Sequence, residues 1–149
     1  MAVVLVAALT RFVAFSDTTG LRNQAFSEAA SQLAAQANFI RTRILLCGSD
    51  FPDGNNATGY RPALPAGTPS VAASTLICPG TGQNLWAGTD GVSLPPAPKY
   101  MGGVWQYAND ATNVRIGILG DVGVLNQAAL RLGADATVSA GALYYKVSN

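Results

Sequence analysis

Cys47 and Cys78 are the only cysteines of this chain, and their chemistry is the most constrained it offers. They lie 31 positions apart and lack the close pairing of a Cys-x-x-Cys redox or zinc motif, so they read as one disulfide or as two buried thiols. Both flank turn signals, Cys47-Gly48 and Cys78-Pro79, in a chain that looks exported, which favours the disulfide. Closing a loop of that length contributes roughly 3 to 4 kcal/mol in the chain-entropy estimate. The chain has no histidine. That removes the commonest general base and the commonest zinc ligand, and Ser-His or Cys-His catalysis with them. No carboxylate pair stands in a recognisable catalytic context, so the sequence predicts neither an enzyme nor a catalytic residue, metal or cofactor.

Other residue clusters invite sharper readings, and each has a plainer rival. Asp50, Asp53, Asn55 and Asn56 form an oxygen-rich loop, but their spacing fits no EF-hand and reads as a turn. Asn56-Ala57-Thr58 is a glycosylation sequon, a weak modification candidate at Asn56. Gly117-Ile118-Leu119-Gly120-Asp121-Val122-Gly123 has phosphate-loop flavour without the Lys-Ser/Thr of a P-loop, and reads as a strand-to-helix turn. Trp86, Tyr100, Trp105, Tyr107, Tyr144 and Tyr145 could form a sugar- or surface-binding platform, although such residues more often fill a β core. Nine cations are scattered singly and the net charge is +1, so nothing resembles a nucleic-acid footprint.

The elements that must position these residues follow from periodicity. Met1 to Leu9 is wholly apolar, Thr10-Arg11 interrupts it and Phe12 to Phe15 resumes it. No uninterrupted run reaches the roughly 18 to 20 residues of a spanning helix. The missing basic n-region and cleavage site speak against a signal peptide. A buried strand is the alternative to helix here, because Val3, Val4 and Val6 favour extended structure. Ser16-Asp17-Thr18-Thr19-Gly20 predicts a kink, a local melt or a fresh N-cap. Beyond it Leu21, Ala25, Ala29, Leu33, Ala37, Ile40 and Ile44 recur at i+3 and i+4, with Phe26 and Ala30 widening the stripe, and Gly48 is expected to stop the helix.

After a turn-rich stretch from Ser49 to Pro69, strands are expected at Val71 to Cys78, Val104 to Tyr107 and Val114 to Leu119. A helix is expected from Val122 to Leu132, capped by Asp121 and stopped by Gly133. Thr137 to Val147 should close the chain as strand, turn at Ser139 to Gly141, and strand. The fold class is therefore α+β: a long N-terminal helix, kinked near residues 16–20, packed on a small antiparallel sheet. Residues 1–20 form an apolar assembly segment and 21–149 the head.

The opening apolar run, the long helix, the phrase Gln36-Ala37-Asn38-Phe39-Ile40-Arg41-Thr42-Arg43-Ile44-Leu45-Leu46-Cys47 followed by Asp53-Gly54-Asn55-Asn56, and a cysteine-bearing β-rich head together resemble a bacterial type IV pilin or type II secretion pseudopilin. The family's acidic residue near the processing site has no counterpart: Leu5 stands there and no acid precedes Asp17, as in a divergent subunit or a chain starting downstream of the family's mature N-terminus. The resemblance implies a helical filament outside the cell, built through N-terminal helices with the heads outward. Val3, Val4, Leu5, Val6, Leu9, Phe12 and Val13 are then the assembly interface. The implied partners are copies of the same chain and, before assembly, a pilus or secretion machinery in the inner membrane. Two other readings stay open. One is a minor pilin, secreted adhesin or carbohydrate-binding module using the aromatics near Trp86 and Trp105; the other is a virion structural protein.

Overall fold

In a computed structural model of the protein, residues 22–50, 52, 61–86 and 92–148 are described, together with the helical backbone of 2–21. Helix α1 spans Ala2–Asp50. The backbone is helical through Ser16 to Gly20, so the expected melt or fresh N-cap gives way to continuous helix. Propagation from the good helix formers on either side outweighs a few poor ones. Side chains of residues 2–21, and with them the expected assembly interface, lie outside the described residues.

From Ala29 onward the alanine-rich stripe behaves as its spacing requires, whereas Ala25 and Phe26 are half-buried. Ala29, Ala30, Leu33, Ala37, Ile40 and Ile44 are buried, and Ala34 and Cys47 join them. The expected stop at Gly48 is corrected, because α1 continues to Asp50. Gly48 instead marks a close approach: a Cβ there would stand 3.1 Å from Leu64 Cδ2. A loop side chain packs against the bare helix backbone, so the glycine serves packing rather than termination.

Five strands form one antiparallel sheet in the order β1-β2-β3-β5-β4. They are β1 (Gly67–Ala72), β2 (Gln106–Asn109), β3 (Val114–Leu119), β4 (Ala136–Ser139) and β5 (Ala142–Ser148). The strand expected over Val71 to Cys78 is displaced. A 3-10 turn at Ala73–Thr75 ends it, where the Thr75 hydroxyl donates to the Ala72 carbonyl at 2.7 Å and offers the backbone a local alternative to the ladder. The chain resumes pairing only at the isolated bridge Ile77↔Asn84. β2 and β3 pair as a hairpin with Tyr107 opposite Ile116, and β2 begins and ends two residues later than the expected Val104 to Tyr107.

Helix α2 runs Val122–Leu132 as expected. Asp121 Oδ1 accepts from Gly123 N at 2.9 Å and Val124 N at 3.3 Å, and Gly133 ends the helix at φ 84°. The β4–β5 turn carries positive φ at both Ala140 and Gly141, the twist that matches a tight hairpin.

Side-chain alternation assigns the layers. On β3 and β5, Val114, Ile116, Ile118, Leu143, Tyr145 and Val147 are buried in one cluster with Leu33, Ile40 and Ile44 of α1 and Val124, Leu125 and Ala128 of α2. Both helices therefore cover one face of the sheet. Arg115, Gly117, Leu119, Ala142, Tyr144 and Lys146 have the opposite parity and line the other.

Candidate functional site

Cys47 and Cys78 are joined in a disulfide with Cα atoms 5.5 Å apart, and both are buried. The bond ties the end of α1 to the turn after Ile77. There Cys78 N donates to Gln83 O at 2.9 Å and Gly82 N to Cys78 O at 2.8 Å. The link thus anchors a segment that no ladder holds, and it offers no free thiol for chemistry.

The aromatic platform dissolves into the core. Trp105, Tyr107 and Tyr145 are buried, and each polar tip has a partner. Trp105 Nε1 donates to Gln36 Oε1 at 3.1 Å, Tyr107 Oη to Pro65 O at 2.9 Å, and Tyr145 Oη to Asn38 Oδ1 at 2.7 Å. Tyr145 Oη also accepts from Arg41 at 2.7 Å, and that guanidinium lies over the ring, 5.1 Å from its centroid. Trp86 Nε1 reaches Ala73 O at 2.7 Å while its ring meets Phe39. Tyr100 and Tyr144 are the exposed tyrosines among the described residues. Tyr100 lies edge-on to Phe26 and Tyr144 rests on Gly117, where a Cβ would stand 3.1 Å from its ring. Trp105, Tyr145, Trp86 and Tyr100 therefore meet residues of α1, whereas Tyr107 holds the Pro65 loop and Tyr144 lies on the opposite sheet face, so the six do not form one stacking row.

The run Gly117 to Gly123 forms the end of β3, the turn and the start of α2, as the strand-to-helix reading expects. Gly117 lies under Tyr144, and a Cβ on Gly120 would fall 2.7 Å from Met101 Sδ. The N-terminal amides of α2 already face the Asp121 carboxylate, which repels an anion. Among the described residues no three His, Cys, Asp or Glu side chains gather as a metal site. Asp53, Asn55 and Asn56 lie outside the described residues. No described helix is long and apolar enough to cross a membrane.

Two polar sites had no signal in the sequence. Asn109 is fully buried at the end of β2 and binds the incoming loop from both sides. Its Oδ1 accepts from Arg61 N at 2.9 Å, and its Nδ2 donates to Arg61 O and Pro65 O, each at 3.0 Å. Burial pushes the neighbouring Tyr107 phenol well above its ordinary range, against a smaller opposing effect of Asn109. At the next residue, Asp110 Oδ1 accepts from the Thr112 hydroxyl at 2.7 Å, Thr112 N at 3.0 Å and Asn113 N at 3.4 Å. Those bonds, the two from Thr112 foremost and with help from Arg115, hold its carboxyl down at about 2.

A concavity lies on the sheet face away from the helices. It is a half-open depression of about 570 Å³, with Ala108, Gly117 and Ala142 among the small residues of its lining and Val104, Leu119 and Tyr144 as exposed apolar groups. Arg115 at its polar end is bound to Asp110 at 2.9 Å and to Asn113 Oδ1 at 2.9 Å.

Fold and faces together define a class: a small two-layer α+β head, one of whose helices is the C-terminal part of a much longer one. No protein-family model, curated protein or solved structure matches this chain.

Proposed function

We propose that the protein is the structural subunit of an extracellular helical filament of the type IV pilus or pseudopilus kind, polymerising through its N-terminal helix. The observation that carries this reading is the length of α1. A helix of 49 residues extends about 74 Å at 1.5 Å per residue, whereas a head of about 100 residues has a radius of gyration near 13 Å. The described stripe is already buried from Ala29 to Cys47 under the subunit's own head. The apolar run before it needs other copies or a lipid environment, and a heterologous contact between copies generates an open helical polymer. Few charges oppose such packing, and the disulfide suits an oxidising exterior. Before assembly the same segment would engage an assembly machinery in the inner membrane.

Electron microscopy of the full chain tests the reading directly. Ordered filaments are expected, and deleting Met1 to Thr19 should leave a folded, soluble monomer. A full chain that stays monodisperse and monomeric in detergent-free buffer, or a truncated chain that still polymerises, overturns it.

A further inference from the structure

Residues 73–86 bond mainly to one another. The segment leaves the sheet at Ala73, whose N still donates to Trp105 O at 2.8 Å. Beyond that point the hydrogen bonds turn inward. Leu85 N donates to Leu76 O at 2.9 Å, Cys78 N to Gln83 O at 2.9 Å, and Asn84 Nδ2 to Ser74 O at 3.1 Å. Trp86 Nε1 donates to Ala73 O at 2.7 Å, so the two ends of the segment meet. The result is a compact surface loop tied by its own groups. Its attachment to the helical layer runs along one line of α1, where Phe39, Arg43 and Cys47 follow one another at i+4 and so share a helix face. Phe39 meets the Trp86 ring with centroids 5.8 Å apart, Arg43 Nη2 donates to Leu85 O at 2.8 Å, and Cys47 is bonded to Cys78. Under the loop, Leu76 (1% exposed) and Leu85 (8%) join the core that contains Ile40 and Ile44.

We propose that residues 73–86 are a redox-operated strap, held closed over the core by the Cys47–Cys78 bond and released as a unit when a dithiol reduces it. Because the strap's hydrogen bonds are largely internal, it can lift without breaking the ladders of β2, β3 and β5. The ring contact and the Arg43 bond are non-covalent and lie at the Trp86 end, so loss of the disulfide leaves the Cys78 turn with no covalent tie to α1. The step is ordinary exchange: a thiolate of the dithiol attacks one sulfur, the Cys47–Cys78 bond breaks, and the second thiol closes the reagent into its own disulfide. Two electrons and two protons pass to the cysteines, which end as thiols. A reduced copy would then present Leu76 and Leu85 to solvent while the rest of the head stays folded, the behaviour of a locally unfolding unit. This inference concerns the head alone and does not depend on the filament reading.

Hydrogen exchange read by mass spectrometry on the full chain tests it. After treatment with dithiothreitol in native buffer and alkylation of both thiols, the amides of Cys78, Gly82 and Leu85 should exchange about tenfold faster or more than in the oxidised protein, whereas those of β3 and β5 should keep their rates within about twofold. Cys47→Ala/Cys78→Ala, untreated, should match the reduced and alkylated protein, which assigns the effect to the missing bond and not to the alkyl groups. A strap that exchanges at the oxidised rate in the reduced protein or in the double variant overturns the proposal. So does loss of protection in β3 and β5 together with the strap, because the bond would then staple the whole head. A disulfide that dithiothreitol cannot reduce without denaturant overturns the redox control as well, since a switch must be reachable in the folded protein.

Discussion

Asp110 organises the β2–β3 turn through one carboxylate oxygen, which accepts from two backbone amides and the Thr112 hydroxyl. Its carboxyl sits at about 2 instead of the ordinary 3.8, so the folded state holds its proton less tightly than the unfolded chain does. A depressed carboxylate stabilises the fold above its unfolded pKa, and that stabilisation disappears as pH falls through the folded value. The hairpin should therefore lose stability between about pH 4 and about pH 2, and in Asp110→Asn the denaturant midpoint should change less across that window. A midpoint with the same acid dependence in both proteins would remove Asp110 from the account. The cysteines make a second residue-scale prediction. Alkylation of the unreduced protein should add no label by intact mass, and two labels would mean free thiols. Reduction should cost roughly 3 to 4 kcal/mol of stability, read from denaturant midpoints. That these cysteines pair was legible from their number and their turn-flanked positions. The buried Asn109 was not, because its partners are backbone groups of Arg61 and Pro65 more than forty positions away, and no local pattern announces such a latch.

Elements whose ends carry their own chemistry were legible, and those defined by distant partners were not. Asp121 before an apolar stripe and Gly133 after it mark α2 at both ends without tertiary information. Val71 to Cys78 has a strand's composition, yet its course is decided by Thr75 bonding locally and by Asn84 and Leu85 arriving from beyond the turn. Gly48 misleads for a similar reason, since a helix-ending residue type is retained inside α1 by the approach of Leu64. The outer-sheet concavity had no sequence signal either: its lining comes from several strands and is apolar only after the pairing register is set. Two substitutions measure these elements separately. Asp121→Ala removes the acceptor for two α2 amides and should lower stability by about 0.5 to 2 kcal/mol. Ile40→Ala opens a cavity between α1 and the sheet and should cost about 2 to 5 kcal/mol. Thermal or denaturant melts of the two variants should keep that order, because a cap faces water whereas Ile40 is fully buried.

At the scale of the whole molecule, α1 is asked to do two different things along its length. From Ala29 to Cys47 it completes the core of its own head, and Leu33, Ile40 and Ile44 are fully buried there. In the proposed filament, Leu5, Val6 and Leu9 instead pack between copies, outside the described residues. These duties predict different failures. A glutamate in an intersubunit apolar seam must be desolvated without a partner, a cost of several kcal/mol that assembly cannot offset. Leu5→Glu should therefore abolish filaments seen by electron microscopy while leaving the melting temperature of the head nearly unchanged. Ile40→Ala should do the reverse in kind, lowering the melting temperature while filaments still form at temperatures where the head remains folded. If Leu5→Glu unfolds the head instead, the N-terminal residues belong to the subunit's own core, as a buried strand would require. Because the two variants are read by two independent measurements on the same full-length chain, an effect on assembly cannot be mistaken for an effect on folding.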